Sequence, residues 1–132
     1  MADTARNNKP LASGEAALAL AKVLASHNGG DVVALDVAAQ AGWTDYFVIA
    51  TATSGAHLRG LERFVAEEAR ALGLDRLHKS SLADDDEWLL ADFGSVVVHV
   101  MTESARAFYE LEKLWFQSPA IKVEAPGPAK PE

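Results

Sequence analysis

The chain has no cysteine, which excludes disulfides, a thiol nucleophile and any cysteine-based zinc site. A basic excess is also missing: 12 Lys and Arg stand against 19 Asp and Glu, a formal charge of -7. That balance opposes nonspecific attraction to phosphate backbones, so direct sequence-specific contact with nucleic acid is not expected. A basic protein surface is the better match, because complementary potentials raise encounter rates and reject wrong partners. No apolar run is long enough to cross a bilayer, and no membrane partner is expected. Met1 to Pro10 hold Asp3, Arg6, Asn7, Asn8 and Lys9 with no apolar stretch behind them, so a secretory leader is not expected either. The cytoplasm is the expected compartment.

What is present reads as one layered α/β domain; 132 residues suffice for a single core. Ser13 is placed to cap a first helix, rich in strong helix formers from Ala16 to Leu24 and stopped at Asn28-Gly29-Gly30. Short β-branched runs at 32–38 and 46–53 predict two buried strands. Ser54 then caps a long helix in which Leu58, Leu61, Phe64, Val65, Ala69 and Leu72 recur at helical spacing until Gly73. A weaker strand is expected at 76–80, before the acidic loop Asp84 to Glu87. Trp88 to Asp92 and Ser95 to Met101 predict a hairpin turning at Phe93-Gly94. Thr102 caps a last helix with Phe108, Leu111, Leu114 and Trp115 as its apolar stripe and Arg106 paired to Glu110. Beyond Gln117 lie four of the five prolines, which predicts a disordered tail. The fold expected is a mixed β-sheet with packed helices, between a flexible segment 1–12 and a Pro/Ala-rich segment 117–132.

Side chains alternate across strands, so each strand divides into two faces. One set is wholly apolar: Val33, Leu35 and Val37; Tyr46, Val48, Ala50 and Ala52; Leu89 and Ala91; Val96, Val98 and Val100. The other carries Asp36, Thr51, Thr53, Trp88, Asp92, Ser95 and His99. Either these polar groups sit at strand ends, satisfied by water and caps, or part of that face is uncovered and binds something. Trp88 favours the second reading, because tryptophan is enriched at interface hot spots and here follows an acidic run.

Catalytic constellations are sparse. His27, His57, His78 and His99 form no pair at helical metal-ligand spacing, and 84–87 lack the spaced ligands and glycine of a calcium loop. No cofactor or metal is expected. Asp92-Phe93-Gly94 copies a kinase motif in letters only, without the glycine-rich loop or the catalytic loop. Thr53-Ser54-Gly55, at a strand-to-helix junction, could offer N–H groups to a phosphate, but no P-loop lysine accompanies it and a helix cap explains Ser54 fully. With Asp36 or Asp92 for magnesium this would make a minimal nucleotidyltransferase; no Gly-x-Ser-x-Gly elbow is present. The expectation is a binding protein and not an enzyme.

Three separated blocks resemble one family. Trp43-Thr44-Asp45-Tyr46-Phe47-Val48-Ile49-Ala50-Thr51 with Thr53, Ser54 and His57, then Trp88 through Val100, then Arg106, Phe108-Tyr109, Leu111-Glu112 and Leu114-Trp115 closely resemble the Iojap-like ribosomal silencing factors. The resemblance covers 14–116 and implies a nucleotidyltransferase-like single domain over 13–116 without transferase activity. It implies binding of the large ribosomal subunit through its basic protein number fourteen, which blocks joining of the small subunit and represses translation. A large-subunit assembly role would share the same binding site. On the matching positions, the partner-binding residues would be Trp88, Leu89 and Asp92, with Asp45, Tyr46, Thr51, Thr53, Ser54 and His99 beside them. Trp43 and Trp115 could also pair across a two-fold axis, making a homodimer of the free protein.

Overall fold

A computed structural model describes residues 13–81, 87–109, 113 and 119–124. Helix α1 (Ser13–Ser26) buries Ala16, Ala17, Leu20, Ala21, Leu24 and Ala25, a stripe whose alanines allow close approach to the sheet. Its end is a Schellman turn: Asn28 adopts φ 71, its N–H reaches Ala25 O at 3.2 Å, and Gly29 N–H reaches Leu24 O at 2.8 Å. A Cβ on Gly29 would stand 2.7 Å from that same Leu24 oxygen, so only glycine fits the close approach. Ser13 is not the expected cap; its hydroxyl donates to Asp45 Oδ2 at 2.9 Å and ties α1 to the second strand.

Strands β1 (Gly30–Asp36) and β2 (Tyr46–Ala52) are joined through a short helix α2 (Ala38–Ala41), where the sequence reading had extended the strand to 38. Asp36 Oδ1 takes the Ala38 N–H at 3.2 Å and turns the chain out of β1. Helix α3 (Gly55–Ala71) starts as predicted, with Ser54 Oγ accepting from His57 N–H at 3.0 Å. It buries Leu58, Leu61, Val65 and Ala69, and closes at Gly73 with φ 81. Strand β3 (His78–Ser81) leads to the hairpin β4 (Trp88–Asp92) and β5 (Val96–Thr102). Gly94, at φ 87, donates to Asp92 Oδ1 at 2.8 Å in the turn. Thr102 Oγ1 accepts from Ala105 N–H at 3.3 Å at the start of α4 (Glu103–Tyr109).

Among the described residues six strands, the last of them β6 (Ala120–Val123), lie in the order β3-β4-β5-β2-β1-β6, antiparallel throughout except for the central parallel pair β2 and β5. This is the mixed α/β sheet expected. The sixth strand corrects the expectation of a wholly disordered tail: β6 (Ala120–Val123) pairs antiparallel with β1 and covers its edge. Its hold is mostly backbone hydrogen bonding, since only Val123 packs on the core, and side-chain patterning therefore carried no signal for it. Segments 1–12 and 125–132 lie outside the described residues, as do Leu111, Leu114 and Trp115 of the expected last stripe. Phe108, expected within that stripe, is 79% exposed.

Both faces of the sheet are buried. Helices α1 and α3 cover Val32, Ala34, Val48, Ala50, Ala52, Leu89, Ala91, Val96, Val98 and Val100. A second cluster on the opposite face contains Val33, Leu35, Phe47, Ile49, Val97, Met101 and Ala105. Val33 and Leu35, and with them Val37, therefore belong to the face opposite the one expected. The register shows why: Val33 and Leu35 lie across from Ile49 and Phe47, after a bulge between Gly30 and Val33 in which Asp31 adopts φ 43. Both alternations of β1 are apolar, so periodicity alone could not choose between them.

Candidate partner-binding site

Eight of the nine candidate residues divide between the two ends of the sheet, and His99, opposite Ile49, lies midway. Tyr46 pairs with Val96, and Asp92 with Val97, so Asp45, Tyr46 and Asp92 share one end. Thr51 and Trp88 both pair with Met101, which brings them together at the other end, where Thr53 and Ser54 follow β2. The run from Tyr46 to Thr53 is roughly 23 Å long at ~3.3 Å per residue, too far for one small contact to hold both ends.

At the first end the polar groups hold backbone. Asp45 accepts the Ser13 hydroxyl, its own N–H reaches Ser95 O at 3.0 Å, and Asp92 closes the Gly94 turn. Tyr46 packs against the helix-side core. Leu89, although next to Trp88 in sequence, faces the helices and is buried. Thr44 is a buried neighbour whose hydroxyl has no hydrogen-bond partner among the described residues.

The other end contains the pair that stands out chemically. Trp88, half-buried on β4, donates from Nε1 to His99 Nδ1 at 3.1 Å. An indole nitrogen can only donate, so the imidazole is neutral, with its proton on Nε2. Burial pushes His99 down from 6.5 to about 4. Its Nε2 is buried without a hydrogen-bond partner among the described residues. Phe47 stands edge-on to His99 with ring centroids 4.8 Å apart, and the exposed Trp43 lies 5.8 Å from Phe47. The centre of this face is closed, with His99 4% and Val97 1% exposed. The idea of an uncovered sheet face is thereby corrected: what remains accessible is its rim, at Trp88 and Trp43.

The junction after β2 is already hydrogen-bonded. Thr53 N–H donates to His57 Nδ1 at 2.9 Å, His57 N–H donates to Ser54 Oγ, and His57 Nε2 lies 2.9 Å from His27 O. Two N–H groups that a phosphate would need are thus engaged. Arg106 Nη1 donates to Thr51 Oγ1 at 2.8 Å and to Gly30 O at 3.3 Å, fastening α4 to the sheet. The neighbouring cavity of about 340 Å³ is lined by Thr51, Ala52, Thr53, Thr102, Glu103 and Ser104, with an acid and no cation. Asp36 pairs with Tyr46 and so lies with Asp92 at the far end of the sheet from this junction. The residues of a minimal nucleotidyltransferase are therefore not assembled. Among the described residues no group of three or more His, Asp or Glu could hold a metal ion, and no helix is long and apolar enough to cross a membrane.

Sequence reading missed two features. Phe108, whose spacing fits the apolar stripe expected of the last helix, is exposed, and so is Leu77, within the strand expected at 76–80. The Trp88–His99 bond joins residues of neighbouring strands; both were named, but only the β4–β5 register shows that they meet.

Comparison with known proteins agrees with this architecture. The family model described as "Ribosomal silencing factor during starvation" matches residues 10–132. A ribosomal silencing factor from Treponema pallidum is 41% identical over 101 residues, covering 76% of this chain and 89% of that protein. A mouse protein named for mitochondrial assembly of the ribosomal large subunit is 38% identical over 98 residues, 73% of this chain but 43% of the mouse protein. A crystal structure of a Chromobacterium violaceum protein superposes with a TM-score of 0.75 at 30% identity, covering 92% of this chain and 98% of that one. The chain belongs to the ribosomal silencing factor family.

Proposed function

We propose that this protein represses translation without catalysis, by docking on the large ribosomal subunit through its basic ribosomal protein number fourteen. Occupying that place sterically keeps the small subunit from joining. The observation that carries the reading is the family match across residues 10–132; the formal charge of -7 supports a basic partner. Trp88 is the proposed anchor, a half-buried indole on a rim that also holds Thr51, Thr53 and Ser54. Asp45, Tyr46, Leu89, Asp92 and His99 act chiefly by holding the strands that present it. The same reading places the protein in the cytoplasm and includes a homodimer of the free chain through Trp43, which is 62% exposed.

Co-sedimentation with separated ribosomal subunits tests it. Binding to the large subunit alone, weakened by Trp88→Ala, is the expected result; equal binding to both subunits or none to either would end the reading. The mouse relative's name supports a second reading, in which this chain assists large-subunit assembly. Accumulation of incomplete large subunits in cells lacking the protein would favour assembly, whereas complete subunits that join too readily would favour repression.

A further inference from the structure

Trp43, Phe47, His99 and Trp88 form a row across one face of the sheet. Trp43 is 62% exposed, Phe47 and His99 are buried, and Trp88 at the far end is half-buried. His99 is the only member of the row with a hydrogen-bond acceptor in its side chain. It is also an expensive choice for this place: its Nε2–H is buried without a partner among the described residues, and a purely apolar ring would avoid that penalty. Packing alone gives no reason for an imidazole here. The Trp88 bond does, because Nδ1 accepts the indole N–H at 3.1 Å while the rings stay tilted at 50° with centroids 5.9 Å apart, so the contact is directional and not a stack.

We infer that His99 is a positioning residue for partner docking, holding the Trp88 indole by its N–H in the one orientation that a partner on the large subunit meets. The inference rests on the docking role proposed above for Trp88. An anchor fixed before contact loses less side-chain freedom on binding, and that saving appears as affinity. Burial keeps the imidazole neutral, and hence an acceptor, at neutral pH.

Two substitutions separate positioning from packing. His99→Phe keeps a ring and removes the acceptor; His99→Asn loses the ring but offers an oxygen close to the Nδ1 position. Each is followed by the indole ¹⁵N–¹H resonance of Trp88, identified by its disappearance in Trp88→Phe, by thermal melting, and by co-sedimentation with large subunits. In His99→Phe the indole resonance is expected to shift and its proton to exchange faster. Affinity falls about tenfold, the scale of one hydrogen bond, with no loss of melting temperature, and His99→Asn recovers most of the affinity. Combining His99→Phe with Trp88→Phe should weaken binding no further than Trp88→Phe alone. An unmoved indole resonance, or full affinity in His99→Phe where Trp88→Phe binds weakly, would overturn the inference. Normal binding by Trp88→Phe would instead remove the docking role of Trp88 and any positioning role with it, while the resonance still reported whether His99 holds the ring.

Discussion

The two faces of the sheet are buried by different chemistry. Under α1 and α3 the residues are mostly aliphatic and small, with Phe93 and the partly buried Tyr46 the aromatic exceptions, and the helices meet them with alanine and leucine stripes. The opposite face sets Phe47, His99 and Trp88 among aliphatic residues, and it includes a ring nitrogen left without a partner. The first arrangement is what stability alone favours. The second gives up some stability at one position for a defined aromatic geometry at the rim, as a surface shaped for recognition does.

Substitutions on each face, at the core and at the rim, should separate the two. The largest expected effect is on the helix face: Leu61→Ala, at a fully buried position, should cost about 2–5 kcal/mol in urea unfolding, while the folded fraction still binds its partner. The next effect belongs to His99 and depends on pH. The folded state keeps this imidazole neutral down to about 4, against 6.5 for the ordinary group, so the unfolded chain takes up the proton first. Its contribution is fully present above pH 6.5 and fades as pH falls toward 4, by about 3 kcal/mol at ~1.36 kcal/mol per unit. Unfolding of His99→Phe across that range should lack this component of the slope; an unchanged slope would mean that the imidazole is not held neutral. Ser54→Ala, which removes the acceptor for His57 N–H, should cost about 1 kcal/mol. Trp43→Ser, at the exposed end of the aromatic row, should change monomer stability by no more than ~0.5 kcal/mol. A loss as large as that of Leu61→Ala there would erase the distinction between rim and core.

The elements that could be read from sequence are those whose signals are local. Helix α3 shows its buried stripe, its Ser54 cap and its glycine stop within one stretch, and the β4–β5 hairpin turns on a single glycine. What escaped depends on partners distant in sequence. The face assigned to β1 needed its register against β2, because both alternations are apolar and the bulge at Asp31 resets the count. Strand β6 needed the open edge of β1, since Ala120 to Val123 sit among prolines and bury little. Ser13 has the look of a cap, but Asp45 claims its hydroxyl. The candidate residues were legible as a set through their resemblance to a family, while their separation into two ends of the sheet, and the bond between Trp88 and His99, came only with the strand register.

Light scattering of purified ribosomal subunits mixed with increasing amounts of this protein reads subunit joining itself. A dose-dependent loss of joined ribosomes is expected with the unaltered chain, and little loss with folded Trp88→Ala. Joining that proceeds undisturbed by the unaltered chain, or that is blocked as strongly by the variant, would contradict repression by docking through Trp88.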